Sequence, residues 1–229
     1  MKKLFIGIFI IFTVFIIYLC TMDKKVYYLA LGDSSKYEYD AFGKKVYGYS
    51  YYVADYFRKM DVLEKYVFQY SKPDLRITDL INDINFNKKY GNYTLKNSLI
   101  KADLVTLKID ASDVYNRILI GDYNSVYDYI DGLCKDFDEL LKLVRQYCKE
   151  DIIFIGYFNP FISMNNSEID DLIYYLNKRY KEVCDEYKVI FNDISSAKFS
   201  FENNFINGED YKKIGDMVIK SADKSLFEG

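Results

Sequence analysis

The sequence predicts an α/β fold: a five-stranded parallel sheet between two layers of helices. Two observations predict it. Short apolar runs alternate with longer stretches of helical spacing from Lys25 to the C-terminus. Runs such as Ile152-Ile-Phe-Ile155 are apolar at every position, the pattern of a strand covered on both faces. A regular strand–helix alternation is also that of parallel strands joined by right-handed crossovers. Half of the 229 residues are hydrophobic, which suits one sizeable core, and no repeat or low-complexity linker divides the chain.

At the N-terminus, Lys2 and Lys3 precede an apolar run, Leu4–Met22, closed by Asp23, Lys24 and Lys25. At ~1.5 Å per residue a helix of this length nearly crosses a hydrocarbon core of about 30 Å. The bulky exit Ile16-Ile-Tyr-Leu-Cys20 is unlike a signal-peptidase site. Residues 1–25 therefore read as an uncleaved signal anchor, with the lipid bilayer as the partner of residues 4–22. The two leading lysines place the N-terminus in the cytoplasm and the domain of residues 26–229 outside it, on a single-pass membrane protein.

Val26–Leu31 reads as a buried first strand that ends in Gly32-Asp-Ser34. Tyr49–Tyr66 has the apolar spacing of a helix, and Val67–Tyr70 follows as a second strand. Ile77–Phe86 and Leu95–Lys101 read as helices, Leu104–Ile109 as the third strand and Val126–Cys148 as a long amphipathic helix. Asp151–Phe158 is the fourth strand, stopped by Asn159-Pro160. Ser167 with Asp170 three residues on resembles a capping box and opens a helix to about Tyr187. Val189–Phe191 is the fifth strand and Tyr211–Ser225 the closing helix. In such sheets a site lies at the carboxyl ends of the strands.

Composition excludes several functions. A net charge of −3 without a basic stripe argues against a nucleic-acid partner. The chain has no histidine, the usual general base near neutral pH, so a classical Ser-His or Cys-His mechanism is excluded. Cys20, Cys134, Cys148 and Cys184 form no CxxC pair, which argues for buried free thiols rather than a zinc or redox motif. No resident cofactor or metal is expected.

Several blocks nevertheless resemble, in order, those of the SGNH (GDSL-like) hydrolases. They are Tyr28-Leu-Ala-Leu-Gly-Asp-Ser34, Tyr47–Tyr56, Arg76–Ile84, Ala102–Ile109 with Asp110-Ala-Ser-Asp113, Ile155–Pro160, and Asn207–Ile214. The resemblance implies a flavodoxin-like three-layer α/β/α fold and hydrolysis of esters or acyl groups. It places Ser34 as the nucleophile at the tip of the first strand, with Asp33, Asp110, Asp113 and Asn159 in the cleft. It also exposes departures. The oxyanion-donating Gly of the family falls on Asp74, the oxyanion-donating Asn on Ser112, the catalytic His on Phe205 and the acid three residues before it on Glu202. Phe205 accepts no proton, and losing one oxyanion donor alone costs roughly 100- to 1000-fold in rate.

The expected protein is thus a degenerate member of that family with a vestigial Ser34. It would bind a cell-envelope ligand, an acylated glycan or a lipid, in the former active-site cleft. The alternative is an active hydrolase using Ser34 with an acidic or Lys partner, Lys36 being the nearest amine. A third reading is a structural module whose strand ends are filled by bulky side chains. Asp33, Asp110 and Asp113 gather around a divalent cation, or Asp33 caps the following turn and Asp113 a helix. Tyr47, Tyr49, Tyr51 and Tyr52 form either an aromatic platform for a sugar or part of the core.

Overall fold

The computed structural model describes residues 25–33, 37–39, 42–197, 199, 201–202 and 205–227. The predicted anchor and residues 34–36, with Ser34 and Lys36, lie outside them. Among the described residues no helix is long and apolar enough to cross a membrane.

Five parallel strands build the central sheet: β1 (Val26–Gly32), β2 (Leu63–Val67), β3 (Leu104–Lys108), β4 (Asp151–Ile155) and β5 (Ile190–Asn192). Their order is β2-β1-β3-β4-β5. The order reverses between β1 and β3, and a crevice opens at such a switch point. Every residue of β1 is buried, because both of its faces are covered. Alternate side chains go to opposite layers. Tyr27, Leu29 and Leu31 enter one core, and Val26, Tyr28 and Ala30 enter the other.

Seven helices are described: α1 (Tyr49–Lys59), α2 (Ile77–Asn85), α3 (Leu95–Lys101), α4 (Ser112–Ile120), α5 (Tyr123–Tyr147), α6 (Ser167–Glu186) and α7 (Gly208–Phe227). α1 and α7 cover one face through Val53, Phe57 and Val218. α2 to α6 cover the other through residues such as Leu80, Phe137 and Leu172. At the α1–α7 crossing, a Cβ on Gly215 would lie 2.9 Å from the Cβ of Tyr52, so glycine sets how closely the helices approach. On the α1 side, the buried hydroxyl of Thr106 meets those of Tyr28 at 2.8 Å and Tyr49 at 3.3 Å, so these polar atoms are satisfied inside the core.

The structure corrects several boundaries. The helix expected to run to Tyr66 stops at Lys59. Asp61 turns the chain at φ +58°, and Leu63–Val67 becomes β2 in place of Val67–Tyr70. Leu63, Tyr66 and Val67 satisfy a helical spacing and a strand equally well; pairing with β1 decides between them. α4 was not anticipated. It is separated from α5 by Gly121 at φ +82°, a left-handed C-terminal turn that favours glycine. The cap of α6 is Asn166, whose Oδ1 accepts from the Glu168 N–H at 2.9 Å, whereas Asp170 bonds Asn159 instead of closing a capping box.

Candidate functional site

All five strands end at one edge, and a cavity of about 160 Å³ opens there between β1, β3 and β4. Asp33, Lys108, Asp110, Tyr115, Tyr157 and Tyr211 are among its lining residues. Gly32 makes the geometry possible. Its φ is +88°, and a Cβ there would lie 1.9 Å from the Lys108 carbonyl oxygen. Only glycine lets β1 approach β3 this closely. The Asp33 N–H then donates to the Lys108 carbonyl at 2.7 Å.

Asp33 and Lys108 form an ion pair across the switch point, with side chains only 18% and 21% exposed. The Lys108 ammonium also reaches the Asp33 carbonyl at 3.3 Å. Burial alone would lower the Lys108 pKa. The adjacent Asp33 carboxylate outweighs that effect and raises it, so Lys108 stays protonated. The other Asp33 oxygen, Oδ1, accepts from the Asp74 N–H at 3.1 Å. Asp74 itself sits at φ +58°, a backbone conformation that favours glycine. Burial pushes the Tyr115 hydroxyl well above its ordinary pKa, and it donates to the Phe158 carbonyl at 3.2 Å. Tyr211 is raised by burial and by Glu38.

The remaining acidic residues have local partners. Asp110 Oδ1 accepts both the N–H and the hydroxyl of Ser112, at 3.0 and 2.6 Å, which turns the chain into α4. The Ser112 hydroxyl therefore has its donor committed within its own turn. Asp113 accepts from the Tyr129 hydroxyl at 3.2 Å and lies 3.9 Å from Arg76. Asp33 and Asp110 line the same cavity and Asp113 the adjoining groove, and among the described residues no cluster of three His, Cys, Asp or Glu is placed to hold a metal ion. Asn159 ties the loop after β4 through its 2.7 Å bonds to Asp170 and to the Phe161 N–H. Glu202 and Phe205 are paired across a two-residue antiparallel ribbon; their side chains lie outside the described residues, as does Ser34.

The tyrosine cluster divides. Tyr49 is 2% exposed and belongs to the core. Tyr47 and Tyr51 stack with ring centroids 3.8 Å apart, and Tyr47 is exposed. Cys134, Cys148 and Cys184 are buried free thiols, and burial raises the pKa of each. Such thiols are poor nucleophiles.

Sequence reasoning missed Lys108, Tyr115 and Tyr211. One signal for Lys108 was available: a single lysine closes the apolar run Leu104-Val-Thr-Leu107, a position where a charge needs a partner. Also missed was a groove of about 530 Å³, lined by Arg76, Asp113, Asp128, Tyr129 and Asp136 among others, which shares Ile109 and Asp110 with the strand-end cavity.

No protein-family model matches the sequence, and no curated protein matches it. Solved structures do resemble it. A lipase from a goat rumen metagenome superposes with a TM-score of 0.66 at 15% identity, covering 85% of this chain and 96% of the lipase. A phospholipase A1 from Streptomyces albidoflavus gives 0.60 at 15% identity, covering 85% and 98%. An acetylxylan esterase from Geobacillus stearothermophilus gives 0.59 at 14% identity, covering 86% and 93%. Identity at this level shows the fold alone: the chain has the three-layer α/β/α architecture of these lipases and esterases.

Proposed function

We propose that this protein is a catalytically impaired SGNH-type hydrolase, held at the outer face of a membrane by residues 4–22, that binds a cell-envelope ligand in the strand-end cleft. The ligand is an acylated glycan or a lipid. One observation carries the reading: the Asp33–Lys108 ion pair fills the switch point of a chain without histidine. Asp33 directly precedes Ser34 in the sequence. Lys108 is the amine among the described residues that line the cavity, and as an ammonium beside Asp33 it accepts no proton. The Asp74 N–H, which the family resemblance assigns to the oxyanion, points at the Asp33 carboxylate instead. Asp110 adds a second carboxylate where negative charge would develop, which opposes the reaction.

The test compares the detergent-solubilised full chain with its Ser34→Ala variant on short-chain acyl esters. Equal hydrolysis by both, at the level of the blank, is expected. Turnover in the parent that the variant lacks, or a covalent phosphonate adduct on Ser34, would establish an active hydrolase and defeat the reading.

A further inference from the structure

β2 is an edge strand, and its pairing with β1 holds one irregularity. Val26 pairs with Leu63 but Tyr27 pairs with Lys65, so Glu64 is an extra residue, a β-bulge. Paired residues of neighbouring strands share a face of the sheet. Leu63 therefore joins Val26 in the layer under α1 and α7, and Lys65 stands with Tyr27 on the face covered by α2 to α6. Without the bulge, Glu64 would stand opposite Tyr27. The bulge sets an amine there in place of a carboxylate and leaves Glu64 exposed.

A cavity of about 260 Å³ lies at this point, between the start of β2, the short Lys89–Thr94 ribbon and α3. Tyr27, in its wall, precedes Gly32 by five residues, about 16 Å at about 3.3 Å per residue, so the cavity is separate from the strand-end cleft. α3 and its cap supply a polar stripe: Thr94, Ser98 and Lys101 recur at helical spacing, with Asn97 beside Ser98, and all four line the cavity. Ser98 is only 1% exposed. The Thr94 hydroxyl is buried without a hydrogen-bond partner, which is costly unless something supplies one. Lys65 and Lys101 bring two positive charges. The Lys65 ammonium lies 4.9 Å from the centroid of the Tyr93 ring, a contact that cancels no charge. Neither lysine forms a salt bridge with a described residue. Glu64 is the single carboxylate among the described lining residues. Asp103, the next along the chain from Lys101, accepts from the Tyr27 N–H at 2.8 Å.

The geometry points to a second binding site here, an oxyanion site in which Lys65 and Lys101 hold the phosphoryl group of a phosphomonoester. Two ammonium groups match a dianionic phosphoryl group, and their hydrogen bonds to its oxygens are charge-assisted. The Ser98 hydroxyl and the Asn97 amide supply further donors from the same wall. A cationic ligand is repelled by the two lysines, and a neutral one leaves their charges unanswered. A soluble phosphorylated molecule and a lipid headgroup both present this group. The site stands independently of the strand-end cleft and of any activity there.

The experiment is equilibrium dialysis of the full chain, in a phosphate-free glycoside detergent, against radiolabelled inorganic phosphate, with ionic strength held constant by chloride. Saturable binding at one site per chain is expected. Lys65→Met and Lys101→Met should each weaken it at least fivefold and Ser98→Ala at least twofold. Lys142→Met, an exposed lysine on α5 away from the cavity, should leave it unchanged. Far-ultraviolet dichroism and the thermal midpoint identify the variants that keep the fold, and the two lysine variants decide the test if Ser98→Ala does not. No saturable binding in the millimolar range, or equal weakening by Lys142→Met, overturns the site. Two competitors separate the sources of the phosphoryl group. Displacement by glycerol 3-phosphate assigns a soluble phosphomonoester, and displacement by phosphatidic acid alone, in the same micelles, assigns a lipid headgroup. Displacement by neither overturns the phosphomonoester assignment.

Discussion

Two residues hold the strand-end site. Gly32 combines a left-handed φ with a van der Waals gap that no side chain fits. Gly32→Ala should therefore destabilise the fold by about 3 kcal/mol or more, read as a lowered midpoint in urea. Lys108 acts through charge. Lys108→Met leaves Asp33 partly buried without its cation, and a loss of about 3 kcal/mol is expected, at the low end for a broken buried pair because both side chains retain some exposure. Adding Asp33→Asn should recover more than half of that loss. A double variant no more stable than Lys108→Met would show that the lysine matters for packing rather than for the pair. A histidine-free chain was legible residue by residue. The pair was not, because its members lie 75 residues apart and meet only when β1 and β3 align.

At the scale of elements, α5 and α6 are clasped at their outer faces. Asp131 on α5 accepts from Arg179 and from the Tyr175 hydroxyl on α6, both at 2.8 Å. The Arg179 bond, then the Tyr175 bond, holds the Asp131 carboxyl below its usual range. A carboxylate depressed in the folded state adds stability above its unfolded pKa, and this stability is lost as pH falls through the folded value. Asp131→Asn should cost about 0.5 kcal/mol at pH 7, modest because the pair is partly exposed. The difference from wild type should narrow below about pH 3.9 and close once the native carboxylate is protonated too. Thermal midpoints of both proteins across this range test it; a constant offset would assign the effect to shape rather than charge. α6 and α3 were legible because their apolar faces repeat at helical spacing. The α1–β2 boundary was not, because a left-handed Asp61 followed by strand pairing leaves no distinct periodicity.

For the whole molecule, the sheet couples two apolar layers. Phe57 lies in the core under α1 and α7, and Phe137 in the core under α5, 4.8 Å from Phe154 and 4.6 Å from Tyr180 by ring centroids. Both cores share β1, whose side chains alternate between them. Phe57→Ala and Phe137→Ala should each destabilise by about 3–5 kcal/mol, the usual range for truncating a buried ring. Each variant should unfold in one transition followed alike by tyrosine fluorescence and far-ultraviolet dichroism. Two separate transitions would mean that the layers fold independently.

The sequence by itself determined the α/β class, four of the five strands and most helices, and the absence of a histidine base. Each of these is a property of composition or of short-range periodicity. Tertiary structure alone decided that Lys108 is an ammonium beside Asp33, that the Asp74 N–H is taken by a carboxylate, that Asp33 and Asp110 share one cavity, and that the groove joins it. These depend on distances between strands and helices remote in the chain, and electrostatic partnership follows distance in space rather than spacing along the sequence.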